Sequence, residues 1–258
     1  MRTTKLGATL ASLAITAGGA THLATTPAQA AAPATTPTTV QLSFTDPGTG
    51  NQYSGWRALY GDRVGTLTTV ISDGTAAPTA GSATLQRRLP GHGWTTSQTD
   101  ADVSDGVTFT SPKALSNATY RVQYSGGTSV DTGSGTTTWD PSTSNTVQVL
   151  TYWKFTHLGY KWHGGLDFTW HGALSPHAKH HRVVIQVKRG SWKNYKVVRT
   201  NNKGHWSVRV RSGHNHWVHY RAVVAGTKTL HKNYTLAKFR TTYSRNAPAP
   251  TARLLTRR

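Results

Sequence analysis

Cysteine is absent from all 258 residues of the chain. Its absence excludes disulfides, lipid attachment through an N-terminal cysteine, cysteine nucleophiles and thiolate metal sites. Glutamate is absent as well, so all nine acids are aspartates. Long apolar runs are also missing, because no segment approaches the roughly 20 strongly apolar residues of a transmembrane helix. We therefore expect a protein that is held by its packed core alone and is not inserted in a membrane.

The first 30 residues have the pattern of a secretory signal peptide. Arg2 and Lys5 precede a modestly apolar stretch, and residues 28–30 read AQA, a small-x-small cleavage site. The stretch is short and rich in Gly, Ala and Thr, which argues against the alternative of an uncleaved anchor. We expect residues 1–30 to be removed on export and the protein to be secreted or associated with the cell surface.

Charge is distributed unequally between the two halves of the chain. Residues 31–148 carry six basic residues and eight aspartates, a net charge of −2. Residues 149–258 carry 21 basic residues and one acid, Asp167, a net charge of +20. Eleven of the 13 histidines also lie in this second half. Because the halves differ so strongly in charge, we expect them to serve different purposes.

One motif occurs twice, about one hundred residues apart. Residues 85–94 read LQRRLPGHGW, and residues 185–192 read IQVKRGSW. In each copy a glycine follows the tryptophan by twelve residues, and a Tyr-Arg pair comes further on. These landmarks are Trp94, Gly106 and Tyr120 in the first copy and Trp192, Gly204 and Tyr220 in the second. Equal spacing with small shifts in loops indicates a duplicated β domain.

Apolar and polar residues alternate with a period of two along the second copy. Residues 206–211 read WSVRVR, and residues 166–171 read LDFTWH. Such segments, separated by turns rich in Gly, Asn and Ser and without a helical period, predict β-strands. We therefore predict an all-β fold of two tandem sandwiches, in which each repeated motif forms a hairpin.

The order of an aliphatic residue, glutamine, a basic pair, glycine, tryptophan and then Tyr-Arg resembles a known type of module. Immunoglobulin-like repeat modules of this kind occur in exported proteins of high-GC Gram-positive bacteria. The resemblance covers residues 82–126 and 182–226 well and the flanking strands loosely. It implies two tandem immunoglobulin-like antiparallel β-sandwiches that serve as spacers, stalks or adhesive domains, and it implies no particular activity.

Domain boundaries follow from the repeat and from composition. We predict a disordered linker over 31–39 and a first sandwich over 40–135. A second linker is predicted over 136–145, before a strongly basic second sandwich over 146–243. The remaining residues, 244–258, are predicted to be a flexible basic tail.

Few residues suit catalysis or metal binding. Carboxylate-pair catalysis needs two acids within about 10 Å, and the second half has one acid. The stretch TDADVSDG over 99–106 resembles a calcium loop, but its glycine falls one position late, so a plain turn is the competing interpretation. Histidines cluster over 177–181 and 214–219 without a neighbouring acid that would favour zinc. We expect no enzyme activity, no metal site and no cofactor.

Basic side chains at outward positions of the second half predict a surface for anionic polymers. Wall polymers, acidic polysaccharides and extracellular nucleic acid are the expected partners, because lysine and arginine neutralise phosphates and carboxylates. A surface kept cationic for solubility is the alternative, although such surfaces normally mix charges of both signs. The candidate residues are Arg182, Lys188, Lys193, Lys196, Arg209, Arg211, His219 and Arg221.

Tryptophans support a second hypothesis. The chain has nine of them, and exposed aromatic rings can stack on sugars. Trp162, in the loop YKWHGG, and Trp217, on the strand phase opposite Tyr220, are the two rings expected to be exposed. The alternative function is therefore a carbohydrate-binding module that recognises neutral glycans, including cell-wall glycan, through these two rings. Aromatic enrichment in a β-sandwich also serves core packing.

Overall fold

The computed structural model describes residues 34–46, 48–131, 135–243 and 248–255. The predicted signal peptide, residues 1–30, lies outside these residues. The described residues form 21 β-strands and no helix, and so no helix that could cross a membrane. The strands are β1 Thr35–Thr36, β2 Thr39–Thr45, β3 Gln52–Tyr53, β4 Gly55–Leu59, β5 Thr66–Ser72, β6 Ala83–Arg88, β7 Trp94–Asp100, β8 Ala118–Tyr124, β9 Gly127–Asp131, β10 Gly135–Trp139, β11 Ser142–Thr143, β12 Val147–Tyr152, β13 Lys154–Trp162, β14 Asp167–Ser175, β15 Arg182–Arg189, β16 Ser191–Arg199, β17 His205–Arg211, β18 Gly213–His214, β19 Val218–Val224, β20 Asn233–Tyr243 and β21 Pro248–Leu255.

The first sandwich packs the sheet β3-β2-β5 against the larger sheet β4-β12-β8-β6-β7. Alternate residues of each strand face the core, so that Leu42 and Phe44 of β2 share one buried cluster with Val122 and Tyr124 of β8. Burying an aliphatic or phenylalanine side chain of this kind stabilises the fold by about 1.5–3 kcal/mol. A small sheet, β1-β10-β9, accompanies these two.

The second sandwich packs the sheet β13-β14-β17 against the larger sheet β16-β15-β19-β20, to which β18 and β21 add by pairing with β20. Trp170, Ile185 and Phe239 are fully buried in its core. The rings of Trp170 and Trp206 meet edge to face, with their centroids 5.1 Å apart. The strict alternation seen in the sequence is therefore the alternation between core and solvent.

The two copies of the repeated motif form equivalent sheets. The strand order β7-β6-β8-β12 of the first sandwich matches the order β16-β15-β19-β20 of the second. Each hairpin has a β-bulge directly before the glutamine of the motif, Gln86 or Gln186, and its tryptophan, Trp94 or Trp192, lies at the start of the return strand. The predicted all-β fold of two tandem sandwiches is confirmed.

The predicted boundary between the sandwiches needs correction. Strand β12 was expected to open the second sandwich, but it pairs with β8 and β4 of the first. The expected linker over 136–145 contains most of β10 and all of β11. The second sandwich therefore begins at Trp153, whose ring is buried in the second core. Alternating residues suit any sheet, so the sequence pattern of β12 did not reveal its partners.

Both ends expected to be unstructured contribute strands. Within the predicted linker over 31–39, residues 35 and 36 form β1, which pairs with β10, and β2 begins at Thr39. Within the predicted flexible tail over 244–258, strand β21 pairs with β20 along its whole length. Ala252 and Leu254 of β21 pack against the second core. Burial of these two apolar side chains stabilises the docking of β21 on the second sandwich.

The loop between β19 and β20 joins the two sandwiches. The backbone N–H of His231 donates to the carbonyl oxygen of Thr151 at 2.7 Å, and the N–H of Trp153 donates to the carbonyl oxygen of His231 at 3.3 Å. A salt bridge between Lys154 Nζ and Asp62 Oδ1, at 2.6 Å, adds a further contact. The two sandwiches are therefore joined by hydrogen bonds and a salt bridge in addition to the connecting chain.

Candidate functional site

The repeated motif builds a three-residue cluster on the outer face of the larger sheet. In the first sandwich, Nε of Arg121 donates a hydrogen bond to Oε1 of Gln86 at 2.8 Å. The same guanidinium lies 4.3 Å from the centre of the Trp94 ring, where the ring quadrupole attracts it. Glutamine and arginine are cross-strand neighbours on β6 and β8, and the hairpin brings the tryptophan beside them.

The second sandwich contains the same cluster. Nε of Arg221 donates to Oε1 of Gln186 at 2.6 Å, and its guanidinium lies 4.6 Å from the centre of the Trp192 ring. Tyr234 of β20 approaches the guanidinium from another side, at 5.8 Å. The cluster explains why glutamine, tryptophan and Tyr-Arg recur together in the sequence. It also holds one of the predicted anion-binding residues, Arg221, in a fixed position.

Four of the eight predicted residues share one face. Arg182 and Lys188 of β15 and His219 and Arg221 of β19 all point outward from the larger sheet of the second sandwich, because their strand neighbours Val183, Val187 and Tyr220 are buried. This face is the part of the predicted surface that the fold assembles.

Arg209 and Arg211 lie on the opposite side of the sandwich. They belong to β17, in the smaller sheet, and flank the one acid of this half: Arg209 is 3.5 Å and Arg211 3.9 Å from the carboxylate of Asp167. The expectation of a single face that includes these two arginines is corrected. Period-two alternation distinguishes core from solvent, but it does not distinguish the outer faces of two packed sheets.

Lys193 and Lys196 also lie away from the common face. They lie on the edge strand β16 opposite Val187 and Ile185, whose side chains are buried, so the two lysines are on the core side of the sheet at its open edge. Both are exposed. The β-bulge between Asn194 and Lys196 places these two lysines, three positions apart, on the same side of the strand, which simple alternation does not predict.

Two basic residues that the sequence-based prediction omitted complete the face. On neighbouring strands, His219 lies directly opposite Lys238 of β20, and Lys238 lies directly opposite Arg253 of β21. Lys188 is the neighbour of His219 on the other side, one position beyond the last β15–β19 pair. We call Lys188, His219, Lys238 and Arg253 the cationic row. Alternation with the apolar residues Ala237 and Phe239 could have identified Lys238 as outward-facing, whereas Arg253 was assigned to a flexible tail.

The positively charged side chains of the cationic row repel one another. Directly opposite residues on adjacent strands have Cβ atoms about 4.5–5.5 Å apart, and like charges there destabilise the sheet. The pKa of His219 is lowered, mainly because burial disfavours the charged imidazole and also because Lys238 and Lys188 repel its proton. Asp167, the sole aspartate of this half, lies on the other sheet, and no described residue forms a salt bridge with the row.

The first sandwich provides an internal comparison. Its equivalent row runs from Arg88 of β6 through Thr119 of β8 to Gln148 of β12 and then to Gly55 of β4. It therefore contains one cation, where the second sandwich has three and a histidine. Both copies keep the Gln–Arg–Trp cluster, but the second alone carries a row of positive charge.

The two tryptophans proposed for sugar stacking are both half-buried. Trp162 packs against the second core, and its Nε1 donates to the carbonyl oxygen of Gly165 at 3.2 Å. Trp217 has the guanidinium of Arg240 at 4.9 Å and that of Arg253 at 5.9 Å from its ring centre. None of the nine tryptophans, all of which lie in described residues, is exposed.

Histidines and aspartates do not assemble a metal site in the described part of the chain, where no group of three potential ligands occurs. The turn over 99–106 uses its carboxylates for its own backbone: Asp100 accepts from the N–H of Thr108, and Asp102 from the N–H of Ser104. The Ser104 hydrogen bond lowers the pKa of Asp102. These contacts are those of a plain turn.

No protein-family model matches the chain, and no curated protein matches its sequence. The function therefore has to be argued from the residues themselves.

Proposed function

We propose that this chain is an exported, non-catalytic binding protein whose second sandwich binds anionic polymers through the cationic row. One observation carries the proposal: three permanent cations and a histidine face each other across four adjacent strands with no acid among them. The arrangement costs stability in the free protein. A polymer of phosphates or carboxylates would remove that cost by neutralising several charges at once.

The internal comparison supports a role beyond solubility. A surface evolved only for solubility would mix lysine and arginine with acids, and the first sandwich, with its nearly balanced charge, does so. The row crosses four strands, which span about 14 Å at the usual strand spacing. It therefore presents a linear series of charges that a flexible anionic chain can follow. Wall polymer, acidic polysaccharide and extracellular nucleic acid share this chemistry.

Salt dependence of binding tests the proposal on the full chain. With DNA as the probe, the logarithm of affinity should fall linearly with the logarithm of salt concentration, by about 0.9 per phosphate neutralised. The variant Lys188→Glu/Lys238→Glu/Arg253→Glu should lose most of the affinity. A matched control, Lys193→Glu/Lys196→Glu/Arg209→Glu, changes the net charge equally away from the row and should retain most of it.

Two outcomes would overturn the proposal. Equal losses in the two triple variants would mean that net charge alone attracts the polymer. Binding of a neutral cell-wall glycan that is insensitive to salt and is lost in Trp217→Ala or Trp162→Ala would favour the carbohydrate-binding alternative. The same titrations with a polyuronate and a polyglycerol phosphate then rank the three classes of anionic polymer.

A further inference from the structure

A cleft of about 620 Å³ lies where the two sandwiches meet. Strands β4 and β12 of the first sandwich form one wall. The other wall comes from β15, β19, the start of β20 and the loop before it. Its volume is within the range of about 300–1,000 Å³ that is usual for small-molecule sites, which often lie at domain interfaces. Both sandwiches are needed to form it.

Positive charge is concentrated in this cleft. Arg57, Arg221 and Lys232 line it together with His231, and no acid is among the described residues that line it. The side chains of Arg57 and Lys232 are exposed and have no hydrogen-bond or ion-pair partner within the described part of the chain. The guanidinium of Arg221 is oriented by Gln186, which engages one of its five N–H donors. Charges of one sign in a concave site focus the field on a small anion.

Apolar surface lies beside these cations. The partly exposed residues Leu59 and Val223 line the cleft together with Tyr152 and Tyr234. A single inorganic ion would leave these groups in contact with water. A ligand that carries an apolar ring next to its anionic group would bury them.

The walls of the cleft are held in place before any ligand arrives. The Tyr152 ring packs against the imidazole of His231 in a tilted arrangement across the junction, with centroids 5.3 Å apart. These two residues also form a β-bridge, and the His231 N–H bonds to the adjacent Thr151 carbonyl. A site that is already formed loses little conformational entropy on binding.

We infer that this cleft binds a small organic anion, a phosphate or carboxylate attached to a ring. The anionic group pairs with Arg221 and Arg57, and the ring lies against the two tyrosines and Val223. The inference is independent of the polymer proposal, because Arg57, Tyr152 and Lys232 are outside the cationic row. Arg221 and its cross-strand neighbour Gln186 line the cleft and lie one row away from the cationic row.

Titration of the full chain with three probes tests this inference. Phenyl phosphate should bind most tightly, glucose 6-phosphate less tightly and inorganic phosphate at least tenfold more weakly than phenyl phosphate, because it buries no ring. Binding should shift the indole N–H signal of Trp192, which stacks on Arg221. Free phosphate esters and carboxylates can be distinguished by repeating the titration with benzoate.

Arg57→Gln and Lys232→Gln are the informative variants, since both residues are exposed and their substitution should not affect folding. Arg57→Gln should weaken phenyl phosphate binding about tenfold or more, as expected for loss of a charge-assisted hydrogen bond, and leave DNA binding nearly unchanged. The matched control Arg88→Gln should change neither.

The two sites fail in different ways. If Lys188→Glu/Lys238→Glu/Arg253→Glu abolishes DNA binding while phenyl phosphate binding persists, both proposals stand. The proposal for the cleft would be overturned by equal affinity for phenyl phosphate and inorganic phosphate. It would also be overturned if Arg57→Gln/Lys232→Gln left phenyl phosphate binding unchanged. That result would leave the cationic row unaffected.

Discussion

At the scale of single residues, the repeated glutamine, arginine and tryptophan act as one unit. Arg221 keeps its charge at the surface while Gln186 and Trp192 fix its direction. A fixed guanidinium loses less entropy when it binds an anion than a freely rotating lysine does. The motif is therefore a structural device in both sandwiches, and in the second it also positions a charge beside the cleft.

The coupling within this unit is testable. Gln186→Ala removes the acceptor of a half-buried, charged donor and should lower the free energy of unfolding by about 1–3 kcal/mol. In an Arg221→Ala background the same change should have a much smaller effect, because its partner is gone. Denaturant unfolding of the four proteins measures the difference, and strictly additive losses would contradict the coupling. Gln86→Ala with Arg121→Ala repeats the cycle in the first sandwich.

A second residue-scale prediction concerns pH. Because the pKa of folded His219 lies below its unfolded value of about 6.5, the unfolded chain binds the proton more tightly. Stability is therefore complete above pH 6.5 and falls as the pH drops through 6.5 towards the folded pKa. The first sandwich has a threonine at the equivalent position. The variant His219→Thr should therefore lack this part of the loss of stability on acidification.

The measurement is the free energy of unfolding between pH 7.5 and 5 for both proteins. The advantage of the wild type over His219→Thr should shrink on acidification. Half-buried His181, whose pKa is lowered as well by desolvation, contributes the same trend to both proteins and cancels. At pH 5 the wild type should bind DNA more tightly than His219→Thr does, because the polyanion stabilises the charged form of His219. Parallel curves would show that His219 does not titrate in this range.

At the scale of strands, the alternation of apolar and polar residues predicts which side chains face the core. It does not predict which strands pair. Residues 206–211 alternate strictly, and β17 buries the apolar set as expected. Alternation does not tell which sheet a strand joins, so β12 was assigned to the wrong sandwich, and Arg209 to the wrong face. Strand β21 contains two prolines, which discourage a strand prediction although they are tolerated in edge strands.

The docking of β21 gives a matched pair of substitutions. Leu254 packs against the second core, whereas its neighbour Leu255 points away and is 43% exposed. Leu254→Ser should lower the free energy of unfolding by about 1–3 kcal/mol, through lost apolar burial, and Leu255→Ser should change it by less than about 0.5 kcal/mol. Denaturant unfolding compares the two variants. Similar values for both would mean that β21 does not pack on the core.

At the scale of the whole molecule, one duplicated scaffold has acquired two electrostatic characters. The sheets, the bulge and the Gln–Arg–Trp cluster are common to both sandwiches. The charge is not, because the outer row of the first has Thr119 and Gln148 where the second has His219 and Lys238. The duplication could be predicted from spacing. The row could not, because it depends on the order of strands in the sheet, which only long-range pairing determines.

The junction determines whether the two sandwiches behave as one body. Asn117 connects them: its side chain accepts from the N–H of Thr151 at 2.9 Å and donates to the carbonyl oxygen of Lys228 at 3.3 Å. Its own N–H donates to the carbonyl oxygen of Thr229 at 2.7 Å. Asn117→Ala should therefore loosen the β19–β20 loop of the second sandwich, which carries part of the cleft wall.

We expect this substitution to cost about 1–3 kcal/mol locally, because the N–H of buried Thr151 loses its acceptor. Amide hydrogen exchange is the sensitive measurement. The N–H groups of Thr151 and His231 should exchange faster in Asn117→Ala, while Ile185, in the second core, should keep its protection. Asp62→Asn breaks only a half-exposed salt bridge, worth about 0–1 kcal/mol, and serves as the control. If Asn117→Ala leaves exchange at His231 unchanged, Asn117 does not hold the loop, and the cleft wall depends on the other junction contacts, such as the hydrogen bond from the His231 N–H to Thr151.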